Sequence, residues 1–449
     1  MGKITLGQAA SWCGGRIDPK YADVAFLGAN NDSRKIEEGQ LFVALQGARD
    51  GHDFIPMALR NGATAVLCSH CEGDYPAIVV EDPRIALGQI ARAERKRIGM
   101  KVVGVTGSVG KSTTKEMIAC VLESTYKVAK TPANHNNDIG MPMAVLSIPE
   151  DTEVAVLEMG MNHFREIAYL TSIAQPDVAV IINIGTMHIE HLGSQEGILK
   201  AKLEILEGME KQGKVILNGD DTLLWNAKEQ LNRPVTYFGA TNPDCAVKGA
   251  NVEQKDGMLR FHASCGEIKL PLEGEHYVPD ALAAIAVGMA MGVENEKICR
   301  SLAIFRNLSG RQEILEEKGY TIIKDCYNAG PESMAAALTV LGSKSPRRIA
   351  VLGDMLELGV CTQAEHYRVG RIAAENADYV LAYGPNSSRI ISGCITGGMT
   401  DTVACAFEDR AELVSMLRRI AKPGDTLLFK GSHGMHMEIA LEMFLKDEA

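Results

Sequence analysis

Residues 104–115, GVTGSVGKSTTK, have the types and spacing that a phosphate-binding loop requires. They follow a β-branched run at residues 101–103 and precede a helix-like segment at residues 116–122, so the order is strand, glycine loop and helix. Glycines in this segment let backbone N–H groups turn toward an anion, and the positive end of the following helix adds to the attraction. The segment therefore predicts a site for nucleotide phosphates.

The polar residues of this loop suit the phosphates of a nucleotide and a bound Mg²⁺. Lys111 supplies a positive charge for the β- and γ-phosphates, and the hydroxyl of Ser112 or Thr113 supplies a ligand for Mg²⁺. The strict GxxxxGK[ST] pattern has a glycine where this chain has Val105, so the pattern here is the shorter GxxGKS. A glycine-rich turn with a chance lysine is the alternative. The residues expected to contact the nucleotide are Gly107, Ser108, Val109, Gly110, Lys111, Ser112 and Thr113.

Polar residues also follow two of the apolar runs that come later. Glu158 directly follows the run at residues 154–157, and the sequence HIEH, which begins at His188, comes soon after the run at residues 178–182. Ligands of parallel sheets lie beyond the carboxyl ends of the strands, so both residues are expected to share a metal–nucleotide site with Ser112. A helix-capping role for Glu158 and a solvent-facing loop position for His188 are the alternatives.

The segment at residues 195–209 predicts a helix whose apolar face contains a lysine. Lys202 falls near the centre of this face, whereas Lys200 lies opposite, between Glu196 and Glu204, as a solvated lysine should. Burial lowers the pKa of a lysine and leaves a neutral, nucleophilic amine. A stem that packs while its ammonium group reaches water is the alternative. At 100° per residue the apolar face consists of Ile198, Leu199, Leu203, Ile205, Leu206 and Met209.

The alternation of apolar runs and helix-like segments predicts an α/β chain with three domains. The first, residues 1–99, is expected to be a small α/β unit. The second, residues 100–308, has runs that are apolar on both faces, which indicates a P-loop domain with a mainly parallel sheet. The third, residues 309–449, repeats the pattern of strands and helices and is expected to be a doubly wound, Rossmann-like domain.

The composition is that of a globular enzyme, with 46% hydrophobic and 23% charged residues among 449. A net charge of −11 argues against nucleic acid as a partner. The chain has no signal-peptide core at its start and no apolar run long enough for a membrane span, so neither is expected. Eleven cysteines in such a chain indicate reduced thiols and a cytoplasmic location. For Cys68 and Cys71, loop thiols are favoured over a zinc site.

Taken together, these motifs resemble the Mur ligase family, and the resemblance covers nearly the whole chain. The YNA stretch at residues 327–329 and the LGDMLELG stretch at residues 352–359 are typical of one branch of that family. The stretches that carry the resemblance lie at residues 32–34, 41–47 and 50–54, at residues 104–113, 134–140, 157–160 and 188–202, and at residues 325–329, 352–359 and 430–432.

The resemblance implies an ATP-dependent ligase of peptidoglycan precursor synthesis. In such a ligase ATP and Mg²⁺ convert a carboxylate into an acyl phosphate, and an amine then attacks it to form a carbon–nitrogen bond. The substrates implied for this branch are UDP-N-acetylmuramoyl-tripeptide and D-alanyl-D-alanine, and the enzyme is expected to be a cytoplasmic monomer whose third domain closes on the second. A folylpolyglutamate-synthase-like ligase and a non-catalytic, ATP-gated P-loop module are the alternatives.

The resemblance also implies roles for individual residues. Lys202 is implied to react with CO₂ and, as a carbamate, to hold a second Mg²⁺ beside His188. The residues expected to take part in catalysis are Lys111, Glu158, His188 and Lys202, and those expected to bind metal are Ser112, Glu158, His188 and Lys202. Further nucleotide contacts are expected from Asn137, Asp280, Arg311 and Asp325. The residues expected to bind substrate are Asp32, Ser33, Arg34, Gly47, Asp50, His52, Tyr327 and Asn328.

This chain departs from the family pattern at several positions. Tyr277 and Asp280 stand where asparagines are usual on the adenine side, and Gly330 replaces a common asparagine. His433 and His436 stand where arginines are frequent near the C-terminus. The departures concern adenine contacts and substrate handling.

Overall fold

The structure is a computed structural model that describes residues 3–132, 134–345 and 347–446. Within these residues, sheets of four, nine and six strands follow one another along the chain, and helices cover their faces. The α/β class predicted from the sequence is confirmed. The domain limits at residues 99 and 308 stay a prediction.

The N-terminal domain is built from short elements. Its strands are β1 (Ile4–Thr5), β2 (Ala25–Phe26), β3 (Ala29–Asn30), β4 (Leu41–Val43), β5 (Ala65–Cys68) and β6 (Ala77–Val79), and its helices are α1 (Leu6–Cys13), α2 (Ile55–Arg60) and α3 (Pro83–Ile98). Strands β3 to β6 pair in parallel in chain order, and β1 pairs with β2 as an antiparallel ribbon. Helix α3 begins at the Asp82 cap and ends at the left-handed Gly99, just before the central domain.

The central domain contains the nine-stranded sheet. Its strands are β7 (Lys101–Thr106), β8 (Val128–Lys130), β9 (Val154–Glu158), β10 (Val178–Ile181), β11 (Lys214–Asn218), β12 (Val235–Gly239), β13 (Val247–Lys255), β14 (Met258–Ala263) and β15 (Gly266–Leu270). Its helices are α4 (Lys111–Glu123), α5 (Gly140–Leu146), α6 (Glu166–Ala174), α7 (Ile189–Leu192), α8 (Gln195–Leu203), α9 (Thr222–Asn226), α10 (Val278–Ala290) and α11 (Asn295–Ala303). The strand order is β15-β14-β13-β12-β11-β10-β7-β9-β8, which places the phosphate-loop strand β7 between β10 and β9.

The C-terminal domain is a doubly wound sheet with one antiparallel edge. Its strands are β16 (Glu313–Glu317), β17 (Tyr320–Asp325), β18 (Arg348–Gly353), β19 (Tyr379–Tyr383), β20 (Ala404–Phe407) and β21 (Thr426–Lys430). Its helices are α12 (Pro331–Gly342), α13 (Thr362–Asn376), α14 (Ser387–Thr396), α15 (Arg410–Ile420) and α16 (Met437–Leu445). The order is β16-β17-β21-β18-β19-β20, and β16 pairs antiparallel with β17.

Strand β7 shows why the central runs are apolar on both faces. Val103 and Val105 belong to the core beneath α4 and α10, whereas Val102 belongs to a core that extends into the N-terminal domain. Successive side chains of a strand point to opposite faces, so a sheet covered on both sides buries every residue. Among the described helices, none combines the length and apolar character that a bilayer span requires.

Two features differ from the sequence-based expectation. The predicted helix at residues 195–209 ends at Leu203 and continues as a tighter turn, Glu204–Leu206, so its full length was predicted wrongly. Glu204 is buried and accepts hydrogen bonds from the N–H groups of Arg165 and Ala168 at 2.8 and 3.1 Å, so it is not a solvated partner of Lys200. The antiparallel extension β13–β15 carries many exposed polar residues, and apolar runs did not reveal it.

Helices α13 and α14 cross at two glycines, and this crossing supports a stability prediction. A Cβ placed on Gly370 would lie 1.9 Å from the carbonyl oxygen of Ile390, so Gly370→Ala must push the helices apart. We expect the free energy of unfolding of the C-terminal domain to fall by about 1–3 kcal/mol, measured by thermal or urea denaturation. The exposed Arg371→Ala variant in the same helix is the control, and equal losses in both variants would contradict the packing explanation.

Candidate active site

A cavity of about 960 Å³ lies between the carboxyl ends of the central strands and the C-terminal domain. One wall is the glycine loop at residues 108–113 together with Glu158 and His188. The opposite wall contains Tyr327, Asn328 and Lys430 of the C-terminal domain. The structure therefore brings the chemistry-bearing residues of two domains to one place, as the strand-end rule predicts.

An asparagine that the sequence analysis did not select, Asn183, forms hydrogen bonds with the backbone of the glycine loop. The side-chain oxygen of Asn183, just past β10, accepts the backbone N–H groups of Ser108 and Val109, both at 3.0 Å. Its amide nitrogen donates to the carbonyl of Val109 at 3.1 Å. Gly110 begins α4 with a φ of 82°, a left-handed conformation that favours glycine. These contacts fix the loop against the neighbouring strand.

A chain of hydrogen bonds joins the glycine loop to both of its neighbours. The hydroxyl of Ser112 donates to Glu158 Oε2 at 2.8 Å and accepts from Arg311 Nη2 at 2.8 Å. Asn136 donates to the other carboxylate oxygen of Glu158 at 2.8 Å. Glu158 and Ser112 are both buried. Glu158 thus occupies the cavity at the end of β9, and its role as a helix cap, the alternative, is not what the structure shows.

Lys111 extends along the loop that carries it. Its ammonium group donates to the carbonyls of Gly107 and Ser108 at 2.9 and 3.1 Å. Burial lowers the pKa of Lys111, and the nearby guanidinium of Arg311 lowers it further, while Glu158 acts in the opposite direction. The lysine is therefore already placed beside the loop amides that would surround a phosphate.

Lys202 is buried, with 2% of its surface exposed, as its place on the apolar face of α8 predicts. Within the described part of the chain, its ammonium group has neither a hydrogen bond nor an ion-pair partner. Burial lowers its pKa well below the ordinary value for lysine, and the charge of Lys111 lowers it further. Lys200, in contrast, is exposed on the same helix. Burial of the stem is common to both interpretations, so the alternative in which the Lys202 ammonium reaches water stays open.

His188 lies in the cavity and faces the C-terminal domain. Its Nδ1 is 2.7 Å from Glu357 Oε2, and this contact lowers the pKa of Glu357. A second contact joins the same two domains, because Glu332 Oε1 accepts the N–H and the hydroxyl of Thr186 at 3.1 and 3.0 Å. His188 is therefore not a solvent-facing loop residue. Glu357 belongs to the LGDMLELG stretch that the sequence analysis selected, whereas Glu332 was not selected.

The wall formed by the C-terminal domain is organised by a buried ion pair. Lys430 donates to Asp325 Oδ2 at 2.6 Å and to the carbonyl of Asn328 at 3.1 Å. The guanidinium of Arg311 stacks 4.0 Å above the ring of Tyr327, which aligns the start of this domain with the glycine loop. All four residues predicted on this wall, Arg311, Asp325, Tyr327 and Asn328, line the cavity.

Two of the positions that depart from the family pattern, Tyr277 and Asp280, lie near the glycine loop. Asp280 accepts a hydrogen bond from the hydroxyl of Thr114 at 2.8 Å, and burial raises its pKa to about 7. Tyr277 accepts from the amide of Asn307 at 3.0 Å, and burial raises its pKa. The charge of this wall therefore changes near neutral pH, where Asp280 titrates.

Asn137 lines the cavity and stabilises the turn that precedes α5. Its side-chain oxygen accepts the N–H groups of Ile139 and Gly140 at 3.2 and 2.7 Å. The contact to Glu158 comes instead from the preceding residue, Asn136. Both asparagines line the cavity.

The candidate substrate residues of the N-terminal domain form two turns apart from this cavity, whose described lining does not include them. Arg34 makes a two-pronged contact with Asp32, at 2.9 and 2.8 Å, and lowers the pKa of Asp32 to about 2. His52 Nδ1 is 2.6 Å from Asp50 Oδ1, and its Nε2 accepts the N–H of Ser69. The residues that stand apart in this way are Asp32, Ser33, Arg34, Gly47, Asp50 and His52.

Oxygen donors near the glycine loop fit a magnesium–nucleotide complex. Among the described residues, no group of three or more His, Cys, Asp or Glu side chains is arranged to hold a metal ion. Mg²⁺ bound to a nucleotide needs only one or two protein oxygens, since phosphates and waters complete its octahedron. Ser112 and Glu158, in contact at the end of the loop, supply such oxygens. The donor set therefore suits Mg²⁺ held together with phosphates rather than by protein alone.

Family models match the chain in three consecutive stretches. They are "Mur ligase family, catalytic domain" at residues 24–95, "Mur ligase middle domain" at residues 105–288 and "Mur ligase, glutamate ligase domain" at residues 310–433. A UDP-N-acetylmuramoyl-tripeptide–D-alanyl-D-alanine ligase of Bacillus subtilis (strain 168) is 38% identical over 448 residues, covering 98% of this chain and 97% of that protein. The chain belongs to the Mur ligase family.

Solved structures of the family have the same architecture. MurF from Acinetobacter baumannii superposes with a TM-score of 0.91 at 31% identity, covering 100% of both chains. The MurF ligase of Thermotoga maritima in complex with ADP superposes with a TM-score of 0.82 at 30% identity, covering 93% of this chain and 97% of that one. The predicted three-domain Mur ligase architecture is confirmed. This Mur ligase is an ATP-dependent enzyme that forms a carbon–nitrogen bond, as the sequence predicted.

The buried carboxyl of Asp280 gives this Mur ligase a pH-dependent stability. Burial outweighs the Thr114 hydrogen bond and the Arg311 charge, so the folded state binds the proton of Asp280 more tightly than the unfolded state. The free energy of unfolding should therefore fall as the pH rises from about 4 to about 7. The Asp280→Asn variant cannot titrate and should be the more stable protein above pH 7, by at most about 4 kcal/mol, with the difference vanishing near pH 4.

Urea denaturation at a series of pH values measures this difference. The exposed Asp256→Asn variant serves as the control and should follow the wild type at every pH. A stability gain of Asp280→Asn that does not depend on pH would show that packing, and not ionisation, is responsible.

Proposed function

We propose that this Mur ligase joins D-alanyl-D-alanine to UDP-N-acetylmuramoyl-tripeptide, with conversion of ATP to ADP and phosphate. The observation that carries the proposal is the cavity shared by two domains, with the glycine loop on one wall and Tyr327, Asn328 and Lys430 on the other. The name of the B. subtilis relative and the LGDMLELG stretch support the choice of substrates.

In the proposed reaction the terminal carboxylate of the tripeptide attacks the γ-phosphate of ATP and ADP leaves. The amine of the dipeptide then attacks the carbonyl carbon of the acyl phosphate, loses a proton, and expels phosphate. Free N–H groups at the start of α4, together with Lys111 and Arg311, stabilise the negative charge that develops on the transferred phosphoryl group. Closure around the cavity keeps water from hydrolysing the acyl phosphate.

Ser112 and Glu158 are proposed to hold the Mg²⁺ that accompanies ATP. When bound, this ion neutralises charge on the phosphate oxygens. Asn136 orients the carboxylate of Glu158, and Arg311 orients the hydroxyl of Ser112. Nucleotide contacts from Asn137, Asp280 and Asp325 belong to the same proposal.

The remaining roles are proposed for groups outside the phosphate site. Tyr327 and Asn328 face the cavity and are proposed to contact the reacting end of the tripeptide or the dipeptide. The N-terminal turns at residues 32–34 and 47–52 are proposed to bind the UDP-muramoyl end, where Arg34 offers an exposed guanidinium to a diphosphate. Domain limits at residues 99 and 308, a cytoplasmic location and a monomeric state complete the proposal. The eleven free cysteines support the location.

An ADP-release assay tests the function. ADP should appear at a sustained rate only when UDP-N-acetylmuramoyl-tripeptide and D-alanyl-D-alanine are both present. Lys111→Ala should lower the rate on the order of a thousandfold, because a charge that stabilises the phosphoryl transition state is lost. The exposed Lys200→Ala variant is the control, with activity near that of the wild type.

Other outcomes of the same assay would replace the proposal. ADP release with folate and glutamate would favour the folylpolyglutamate-synthase-like alternative, and nucleotide binding without turnover on any substrate would favour a binding module. Near-normal turnover by Lys111→Ala would refute the assignment of the phosphate site.

We further propose that Lys202 carries a carbamate and, with His188, holds a second Mg²⁺. Burial and the charge of Lys111 favour the neutral amine of Lys202, whose nitrogen can attack the carbon of CO₂ and release a proton. The product exchanges a buried cation for an anion, which removes the repulsion with Lys111. A carbamate would also supply an oxygen ligand for Mg²⁺.

Chemical rescue tests the carbamate. We expect Lys202→Ala to be inactive, to recover part of its activity with acetate or another small carboxylate, and to be unaffected by bicarbonate. The wild type should gain activity when bicarbonate is restored to depleted buffer. An inactive variant that no carboxylate rescues, with a wild type indifferent to bicarbonate, would indicate a plain ammonium contact to phosphate.

A further inference from the structure

His188 and Glu357 are two strained residues that meet across the domain interface. Both have left-handed backbone conformations, with φ values of 63° and 64°, which residues other than glycine rarely adopt. His188 precedes helix α7 of the central domain, and Glu357 lies in the loop after β18 of the C-terminal domain. Strain of this kind persists only where the surroundings enforce it, and it concentrates at functional sites.

The loop that carries Glu357, residues 354–358, is fixed by its own domain. The N–H of Met355 donates to Nε2 of the fully buried His366 at 3.0 Å, and the N–H of Leu356 donates to the hydroxyl of Ser432 at 2.9 Å. The side chain of Asn386 donates to the buried carboxylate of Asp354 at 2.8 Å. All of these contacts lie within the C-terminal domain, and they fix the loop that carries Glu357.

Gly359, the residue that follows this loop, fits closely against α7. A Cβ on Gly359 would lie 2.8 Å from Cβ of Glu190, so only glycine allows this approach. The carboxylate of Glu357 therefore reaches His188 when the C-terminal domain is docked as it is here. Undocking would remove the carboxylate from the histidine, because the two residues belong to different domains.

The carboxylate of Glu357 lies beside Nδ1, and not Nε2, of His188. Nδ1 is 2.7 Å from Glu357 Oε2, but the angle at this contact is not that of a hydrogen bond. Among the described residues, Nδ1 therefore has no hydrogen-bond partner. A small rotation that directs Nδ1–H to the carboxylate would leave the lone pair of Nε2 for a metal ion. Histidine ligands of metals usually donate their second ring N–H to a carboxylate or carbonyl in this way, which fixes tautomer and ring orientation.

We propose that Glu357 is a positioning residue that prepares His188 to bind Mg²⁺ through Nε2, and that it does so only when the C-terminal domain is docked. The inference rests on the proposed metal role of His188. Metal affinity and domain docking are then linked, and by thermodynamic reciprocity metal binding must stabilise the docked arrangement to the same extent.

Mn²⁺ binding in place of Mg²⁺ tests this coupling without relying on activity. Electron paramagnetic resonance measures free Mn²⁺ during a titration of the full chain with ADP present, and small-angle scattering measures compaction with and without Mn²⁺. The variants are His188→Ala, Glu357→Ala, Glu357→Gln and Glu332→Ala. Glu332 also joins the two domains but contacts Thr186, so its variant is the matched control for loss of an interdomain contact.

We expect His188→Ala to lose one class of Mn²⁺ site. Glu357→Ala should weaken the same class by about 10- to 100-fold and abolish its effect on compaction. Glu357→Gln should stay within about threefold of the wild type, because the amide oxygen accepts the same N–H. Glu332→Ala should lose less than about threefold and should still compact when Mn²⁺ is added.

The outcomes separate this inference from the proposed function. If His188→Ala leaves Mn²⁺ binding unchanged, the metal role of His188 fails and this inference fails with it. If His188→Ala loses the site but Glu357→Ala keeps wild-type affinity, only the positioning role of Glu357 is overturned. Equal weakening by Glu357→Ala and Glu332→Ala would overturn it as well, because Glu357 would then be a docking contact alone.

Discussion

The hydroxyl of Ser112 connects the glycine loop, strand β9 and the start of the C-terminal domain through hydrogen bonds. It donates to Glu158 at the end of β9 and accepts from Arg311 at the start of the C-terminal domain. Because all three groups are buried or partly buried, losing one would leave a polar or charged partner unsatisfied at a high cost in free energy. The position of the glycine loop, the direction of Glu158 and the entry of the chain into its third domain are therefore fixed together.

Docking of the C-terminal domain completes the cavity, because each of the two domains contributes one of its walls. The glycine loop offers amides and a lysine to phosphates, whereas Tyr327 and Lys430 lie on the other domain. Polar contacts between the domains include those from Glu332 to Thr186 and from Glu357 to His188. Polar contacts of this kind are compatible with an interface that opens for substrates and closes for chemistry.

Several features of the site could be predicted because they depend on neighbours in the sequence. The glycine loop needed only its own spacing and its flanking strand and helix, and Lys202 needed only the period of α8. The end of α8 could not be predicted, because the turn at Glu204 forms where its carboxylate meets the N–H groups of Arg165 and Ala168. The antiparallel extension β13–β15 was missed because its buried residues in β14 and β15 alternate with polar ones over short stretches and form no continuous apolar run.

The sequence by itself determined the phosphate loop, the mainly parallel α/β architecture and the burial of Lys202, because each follows from residue types at short, regular spacing. Only the tertiary structure decided that Asn183 supports the loop, that Arg311 reaches Ser112, and that Glu357 meets His188. These contacts join residues that are distant in the chain. Their geometry depends on how strands order themselves in a sheet and how domains dock, which no local pattern of side chains encodes.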